Sequence, residues 1–215
     1  MSHELRNPLA PLRNMLEVLK RTNGGLGPAS RAIETMERQL AQLVRLVDDL
    51  LDLSRITHNR IELRRERVEL ASVIHQAIEA SRPLAETAGH DMKVALLPNP
   101  IYVHGDPVRL TQIFGNLLNN SCKYTPPGGK VSVTARQEGS EVVVTVADTG
   151  AGIPPDKLSS IFEMFTQIDG SLERSQGGLG IGLTLAKRLV QMHDGSIEAR
   201  SAGEGRGANL SCACR

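Results

Sequence analysis

The sequence has 215 residues with 25 basic and 24 acidic side chains, enough for one large domain or two small ones. A net charge of +1 excludes a strong general attraction to nucleic acid or to an anionic membrane, so we expect neither partner. The three cysteines are too few for a disulfide framework, and no apolar run reaches the roughly 18 residues of a membrane span. We therefore expect a cytoplasmic location, which would also suit the cytoplasmic part of a larger sensor protein.

Apolar spacing in the first 57 residues predicts two helices. Leucines between positions 5 and 19 recur every three or four residues, and after the breaker at 23–28 the same spacing runs from 33 to 54. This spacing is a coiled-coil seam, and so short a turn predicts an antiparallel hairpin. Because Leu46, Leu51 and Leu53 widen the apolar face, we expect a homodimer that forms a four-helix bundle.

The heptad pattern stops in the basic segment HNRIELRRER, so we divide the chain into domains 1–66 and 67–215. The second domain alternates element types. Its patterns predict helices over 70–88, 107–123 and 182–192, and strands over 92–97, 101–103, 131–135, 142–147, 196–200 and 208–213. This order is typical of an α+β two-layer sandwich, with helices on one face of a mostly antiparallel sheet.

The predicted helix 107–123 carries a polar stripe beside its apolar arc, formed by Gln112, Asn116, Asn120 and Lys123. A solvated helix face is one interpretation. Asparagine is a poor residue for a helix interior, however, and amide oxygens beside a lysine suit a hydrated Mg²⁺ next to phosphates.

Two glycine-rich segments complete the candidate site. In EVVVTVADTGAGI the strand ends in Asp148 and passes into Gly150 and Gly152, where a carboxylate could accept hydrogen bonds from an amine and the glycines could admit a flat ring; an ordinary turn is the alternative. GGLGIGL opens the last helix, and its Gly178, Gly180 and Gly182 suit an anion at the helix N-terminus. Neither a Walker A nor a Rossmann spacing is matched.

The N-terminal segment SHELRNPL places His3, Glu4 and Asn7 outside the leucine seam, facing solvent. Pro8 and Pro11 each remove a backbone donor and favour a bend there. A single exposed histidine is usually without a role, and we assign none to the other five histidines.

Taken in order, these motifs resemble the catalytic core of a two-component sensor histidine kinase, most of all a hybrid kinase. SHELRNPL is similar to the phosphoacceptor box, QIFGNLLNNSCKYT to the asparagine box, DTGAGI and GGLGIGL to the glycine boxes, and IFEMF to the phenylalanine box. The resemblance implies that 1–66 is the dimerisation and histidine-phosphotransfer hairpin and 67–215 a Bergerat-type ATP-binding domain.

The resemblance also implies a role for each site residue. His3 would attack the γ-phosphate of ATP, Glu4 would act as general base, and Asn7 would orient a water that dephosphorylates the partner, a response-regulator receiver domain. In the ATP (or ADP) site, Asn120 would hold Mg²⁺ with support from Asn116, and Asp148 would contact the adenine amine. The resemblance further implies that Lys123 and Tyr124 line the site and that Gly150 and Gly152 shape the base pocket. The phosphates would be flanked by Gly178, Gly180 and Gly182 and reached by Arg174. A lid over 154–177 would be anchored by Phe162 and Phe165.

Two other functions compete with the kinase. Related ATPases resemble this fold but carry a glutamate where this chain has Asn116, so a stand-alone ATPase is disfavoured. A non-catalytic, nucleotide-gated dimer is the second alternative, which the intact His3, Asn120 and Asp148 argue against. Because Met1 stands two residues before His3, we expect a weakened dimer and poor phosphorylation of this chain alone.

Overall fold

The computed structural model of the chain describes residues 26–57, 62–167 and 180–214. The first predicted helix lies outside these residues. So do five of the predicted site residues, namely His3, Glu4, Asn7, Arg174 and Gly178.

Helix α1 spans Leu26–Thr57. It begins inside the segment that we assigned to the turn, because Pro28 falls in the first turn of the helix, where a missing N–H has no intrahelical partner to lose. Leu46 and Leu53 are buried. Five apolar side chains spaced by three, four or seven residues remain about half exposed along the same helix: Ile33, Leu40, Val44, Val47 and Leu51.

Beyond α1, the described residues form three further α-helices and seven strands. The helices are α2 (Leu70–Thr87), α3 (Pro107–Tyr124) and α4 (Gly182–Met192). The strands are β1 (Glu66–Glu69), β2 (Asp91–Ala95), β3 (Tyr102–Gly105), β4 (Lys130–Glu138), β5 (Glu141–Asp148), β6 (Ser196–Arg200) and β7 (Ala208–Cys214). Short 3₁₀ turns lie at Pro155–Lys157 and Ser160–Phe162.

The main sheet, built from described residues, has the strand order β2-β4-β5-β7-β6. Only the β2–β4 pair is parallel among its four pairings. Alternate valines of the central strand β5, Val142, Val144 and Val146, are buried beneath the helices. The predicted α+β sandwich after a helical region is therefore confirmed.

Strand β3 does not join this sheet, but pairs with β1 in a separate two-stranded ribbon. We did not predict β1, because its sequence ERVE contributes a single buried side chain, Val68, and carries no alternating pattern long enough to detect.

A buried histidine joins α4 to the start of α3. The His193 Nε2 atom accepts a hydrogen bond from the Asp106 backbone N–H at 3.0 Å, and its Nδ1 donates to the Leu189 carbonyl at 2.8 Å. Burial lowers the pKa of His193, since the imidazolium would lose its hydration. His193 thus has a structural role in the sandwich.

Across the residues that the structure describes, no helix is both long enough and apolar enough to cross a membrane. All three cysteines, Cys122, Cys212 and Cys214, lie within these residues and are buried free thiols.

Candidate functional site

Helices α3 and α4 meet at two asparagines. The Asn116 Nδ2 atom donates a hydrogen bond to the Gly182 carbonyl at 3.1 Å, and the Asn120 Nδ2 atom donates to the Asn116 carbonyl at 2.9 Å. These bonds turn the amide nitrogens toward backbone, and no hydrogen bond from a described residue engages either side-chain oxygen. The predicted polar stripe of α3 therefore places both asparagine amides beside the first residue of α4.

Among the described residues, no side chain caps the N-terminus of α4. The N-cap residue is Ile181, whose apolar side chain cannot accept hydrogen bonds from the first backbone N–H groups of the helix. A Cβ atom added to Gly182 would lie 3.7 Å from the Asn116 amide and 3.8 Å from Asn120 Nδ2, so the missing side chain leaves a cradle between the two helices. Donors at a helix N-terminus favour an anion such as phosphate.

Thr184, in the first turn of α4, was missed by sequence analysis. Its side chain is buried, and its Oγ1 atom has no hydrogen-bond partner among the residues that the structure describes. Buried hydroxyls are nearly always hydrogen-bonded, so a partner for Thr184 is expected from outside the described residues. A threonine beside glycines gave no signal in the sequence.

Asp148 stands at the end of β5. Its Oδ1 atom accepts hydrogen bonds from the backbone N–H groups of Gly150 at 2.9 Å and Ala208 at 3.2 Å. Burial raises the pKa of Asp148 above its ordinary value, and the hydrogen bond from Gly150 only partly opposes this shift. Burial, with the nearby charge of Asp148, raises the pKa of Cys122 in α3 to about 11.

The glycines after Asp148 are required by the protein's own packing. A Cβ atom on Gly150 would lie 2.5 Å from the Tyr124 carbonyl oxygen, and one on Gly152, whose φ is +71°, would lie 2.0 Å from the Gly203 carbonyl oxygen. The space that we expected to admit a ligand at these two positions is thus filled by neighbouring backbone. They let this loop pack closely against the end of α3 and against the β6–β7 turn.

The β6–β7 turn supports this loop and was not identified from the sequence. The Gly207 N–H donates to the Gly150 carbonyl at 3.1 Å, and the Ser201 Oγ accepts from the Ile153 N–H at 3.0 Å. The glycine spacing of GEGRG, with Gly205 and Gly207 both at positive φ, was the available signal.

Lys123 and Tyr124 end α3 between the two halves of the site. The Lys123 Nζ lies 4.8 Å from the centre of the Tyr124 ring, and the Tyr124 carbonyl accepts from the Ala151 N–H at 3.0 Å. Helix α3 thus connects the asparagine pair to the Asp148 loop.

The two phenylalanines predicted to anchor the segment after Ile153 differ in burial. Phe162 is buried and lies beneath Lys187 of α4, with the ammonium 5.5 Å from the ring centre. The side chain of Phe165 is 44% exposed and its backbone has a φ of +63°, so its role as a lid anchor stays a prediction. A Cβ atom on Gly180 would lie 2.7 Å from the Thr166 carbonyl, so the two ends of the undescribed segment 168–179 meet here.

The donor set fits a hard cation held partly by water. Amide oxygens of Asn116 and Asn120 are neutral oxygen ligands, and Mg²⁺ binds few protein ligands because it retains several waters. In the described parts of the chain no group of three His, Cys, Asp or Glu side chains could hold a metal ion. Any cation at this site would therefore rely on the asparagines and on phosphate oxygens of a ligand.

Comparison with known families agrees with this geometry. A family model described as "Histidine kinase-, DNA gyrase B-, and HSP90-like ATPase" matches residues 105–213, about half of the chain. The chain belongs to this family. A second model, "His Kinase A (phospho-acceptor) domain", matches residues 1–59, so the chain contains the catalytic core of a sensor histidine kinase, as the motifs predicted.

Curated relatives include sensor histidine kinases. The chain is 36% identical over 199 residues to histidine-protein kinase BaeS of Escherichia coli (strain K12), covering 93% of this chain and 42% of BaeS. It is 35% identical over 212 residues to the circadian input-output histidine kinase CikA of Synechococcus elongatus, covering 95% of this chain and 28% of CikA. The chain thus spans less than half the length of each of these relatives.

Solved structures share the arrangement of the kinase core. Histidine kinase AdeS of Acinetobacter baumannii superposes with a TM-score of 0.75 over 99% of this chain and 96% of AdeS, and at 21% identity it shows the fold alone. Full-length ShkA in complex with AMPPNP has a TM-score of 0.74 at 31% identity, covering 99% of this chain and 44% of ShkA. The predicted ATP-dependent histidine kinase is therefore supported at the level of the family.

Proposed function

We propose that the chain binds Mg-ATP and transfers the γ-phosphoryl group to His3, with 1–66 as the phosphoacceptor hairpin and 67–215 as the nucleotide domain. The observation that carries the proposal is the meeting of Asn116 and Asn120 with the uncapped N-terminus of α4. Amide oxygens and free backbone donors at one place suit a metal–phosphate group.

Asp148 provides the base-reading end of the proposed site. A carboxylate fixed through Oδ1 by two backbone N–H groups can accept a further hydrogen bond from the exocyclic amine of adenine. Lys123 and Tyr124 lie between this end and the asparagines, along the path that the ribose and phosphates would follow. The complex of ShkA with AMPPNP supports an adenine nucleotide as the ligand class.

At the other end, the α4 N-terminus with Gly180 and Gly182 would bind phosphate oxygens, joined by Gly178 and Arg174 from the undescribed segment. Asn120 would hold Mg²⁺, with Asn116 beside it. Mg²⁺ there neutralises charge on the phosphate oxygens during transfer.

In the transfer step, a ring nitrogen of His3 attacks the γ-phosphorus. A P–N bond forms as the bond between the γ-phosphorus and the β,γ-bridging oxygen breaks, and ADP leaves with that bond's electron pair. Glu4 accepts the proton from the other ring nitrogen, so the imidazole ring of the phosphohistidine carries no positive charge.

Asn116 directs the chemistry toward transfer instead of hydrolysis. An amide cannot accept a proton from an attacking water, so hydrolysis by a water held near Asn116 lacks a general base. The histidine, which brings its own base in Glu4, is then the favoured acceptor.

The phosphoryl group would pass from His3 to an aspartate of a response-regulator receiver domain. A structure of histidine kinase ThkA in complex with response regulator protein TrrA, which resembles this chain with a TM-score of 0.72, supports a partner of this class. Asn7 would orient the water that later removes the phosphoryl group from the regulator. A chain that uses ATP and such a partner belongs in the cytoplasm.

The exposed stripe of α1 supports a homodimer through the hairpin. Its five half-exposed apolar side chains follow the seam spacing of a coiled coil, and a second copy would cover them.

Incubation with ATP labelled separately at the α- and γ-phosphates tests the proposal. We expect protein-bound label from the γ-position alone. Release of free phosphate without protein-bound label would instead favour a stand-alone ATPase, and binding without either would favour a non-catalytic module. For Asn7→Ala we expect loss of regulator dephosphorylation with autophosphorylation retained, and equal loss of both would contradict the separate roles.

A further inference from the structure

Helix α1 and the ATP-binding domain are joined by an ion pair. The Arg109 guanidinium donates from Nη1 to Asp52 Oδ2 at 2.5 Å and from Nη2 to Asp52 Oδ1 at 3.2 Å. The Gln112 Nε2 atom also donates to Asp52 Oδ2 at 3.0 Å, and its Oε1 accepts from Arg109 Nη1 at 2.7 Å. One carboxylate of the hairpin therefore engages two side chains in the first turns of α3.

The ion pair is set in an apolar contact. Leu53 is buried next to Asp52, and Leu50 and Ile56 pack against the core of the sandwich. The Asp52 side chain is 12% exposed and that of Arg109 21%, so both charges are largely removed from water. Burial alone raises the pKa of Asp52, but the hydrogen bonds from Arg109 and Gln112 outweigh it and hold the pKa below its ordinary value. The carboxylate is thus ionised and bidentate, the geometry that fixes orientation.

The chain that follows α1 is held at the same end of the domain. The Arg64 N–H donates to Asp106 Oδ2 at 3.0 Å, and Asp106 also caps α3 by accepting from Val108 and Arg109 through Oδ1. The Arg65 Nη1 atom donates to Asp194 Oδ2 at 2.7 Å, just after α4. Residues on both sides of 58–61 therefore contact the first two turns of α3, and Arg65 also contacts Asp194 just after α4.

Helix α1 also packs directly on α4. The first residue of α4, Gly182, borders the asparagine pair, and Arg109 lies seven residues before Asn116 on α3, about 10 Å along the helix. Helix α1 thus contacts both helices that carry the proposed phosphate end of the site.

We propose that Asp52, through Arg109 and Gln112, is a positioning residue that sets the orientation of the nucleotide site toward the phosphoacceptor helix. This inference rests on the proposed function. Phosphoryl transfer depends on alignment, and a displacement of about 1 Å can lower a rate about 100-fold. The ion pair reduces the number of orientations that the ATP-binding domain adopts relative to the phosphoacceptor helix.

The test compares Asp52→Asn with Asp48→Asn in the full chain. Asp48 lies one turn earlier on α1 with an exposed side chain, so it controls for the loss of a carboxylate. The initial rate of histidine phosphorylation is measured against ATP concentration, and ADP affinity by calorimetry. For Asp52→Asn we expect kcat to fall at least about ten-fold with KM and ADP affinity unchanged, while Asp48→Asn matches wild type.

Exchanging the charges of Asp52 and Arg109 distinguishes an effect on domain orientation from an effect on folding. Asp52→Arg and Arg109→Asp should each lower kcat, and the double variant should regain most of the lost rate, a coupling that independent structural damage would not produce. An unaltered kcat in Asp52→Asn, or no recovery in the double variant with ADP affinity intact, would overturn the inference while the kinase stands. Absence of label on the wild-type chain would refute the proposed function and this inference with it.

Discussion

The side-chain amide of Asn116 bonds to the backbone carbonyl of Gly182, the first residue of α4, at 3.1 Å. This bond joins the asparagine stripe of α3 to the glycine-rich entry of α4, which are 66 residues apart in the chain. Two motifs that look unrelated in the sequence therefore form one wall of the candidate site.

A side chain at Gly182 should block the site without disturbing the fold. The added methyl of Gly182→Ala meets the two asparagines at ordinary contact distances, 3.7 and 3.8 Å, so the folded state tolerates it. It nevertheless fills the cradle, and we expect ADP binding in calorimetry to weaken at least about ten-fold, or about 1.4 kcal/mol.

Gly115→Ala is the matched control, because a Cβ atom there meets nothing within 4 Å. It should stabilise α3 by about 0.5–1 kcal/mol in urea unfolding and leave ADP affinity unchanged. Equal affinity for Gly182→Ala and wild type would argue that no ligand occupies the cradle.

Asp148→Asn should separate binding from stability. The Asn oxygen can keep both backbone hydrogen bonds but loses the charge, and a charge-assisted bond to the adenine amine contributes about 1.5–3 kcal/mol. We expect ADP binding to be lost or weakened beyond about ten-fold in calorimetry. Unchanged affinity would refute the base-reading role.

The same variant should change how stability depends on pH. Because burial raises the pKa of Asp148, the folded wild type holds a proton more tightly than the unfolded chain, and its stability falls as pH rises from about 3.8 through the raised value. The Asp148→Asn variant has no carboxyl group to ionise and therefore does not lose this stability as pH rises. Without nucleotide, its melting temperature at pH 7 should equal or exceed that of wild type. A lower melting temperature at pH 7 would show that the charge supports the fold.

Asp194 adopts a φ of +58°, in the left-handed region that favours glycine. The two variants Asp194→Gly and Asp194→Ala lose the same carboxylate and its exposed contact with Arg65. We expect the glycine variant to be more stable than the alanine variant by about 1 kcal/mol in urea unfolding. The reverse order would contradict the left-handed backbone at this position.

His193 should make the domain sensitive to mild acid. Burial lowers its pKa in the folded state, so the unfolded chain takes up the proton first and stability falls as pH drops below about 6.5 toward the lowered value. The charged groups facing it are Arg65, Asp106 and Asp194. The melting temperature should fall more between pH 7.5 and 5.5 for wild type than for His193→Gln, and parallel slopes would rule out this titration.

Periodicity predicted most of the fold. The helices of the sandwich begin and end within two residues of the expected positions, because each has a complete apolar arc and a clear terminal signal, such as Asp106 before α3. Strand β1 was missed because its pairing with β3 depends on a contact more than 30 residues away.

Contacts between distant segments explain the remaining misses at the site. Gln112 belongs by periodicity to the stripe of Asn116 and Asn120, but it bonds to Asp52 of α1, which only the docking of the two helices could reveal. The support of the Asp148 loop by Gly207 is likewise a tertiary contact. Local sequence identified the chemical groups, whereas the partners of those groups depend on how the elements pack.

The amount of label that His3 retains from ATP is the most direct test of the proposed phosphoryl transfer. The chain is incubated with Mg²⁺ and γ-labelled ATP over a range of protein concentrations, and the stability of the protein-bound label is determined in acid and in base. The account predicts label that is lost in acid, survives base, and is absent in His3→Gln, a variant that should still bind ADP with wild-type affinity. Label of the same amount and stability in His3→Gln, or none on the wild-type chain at any concentration, would contradict it.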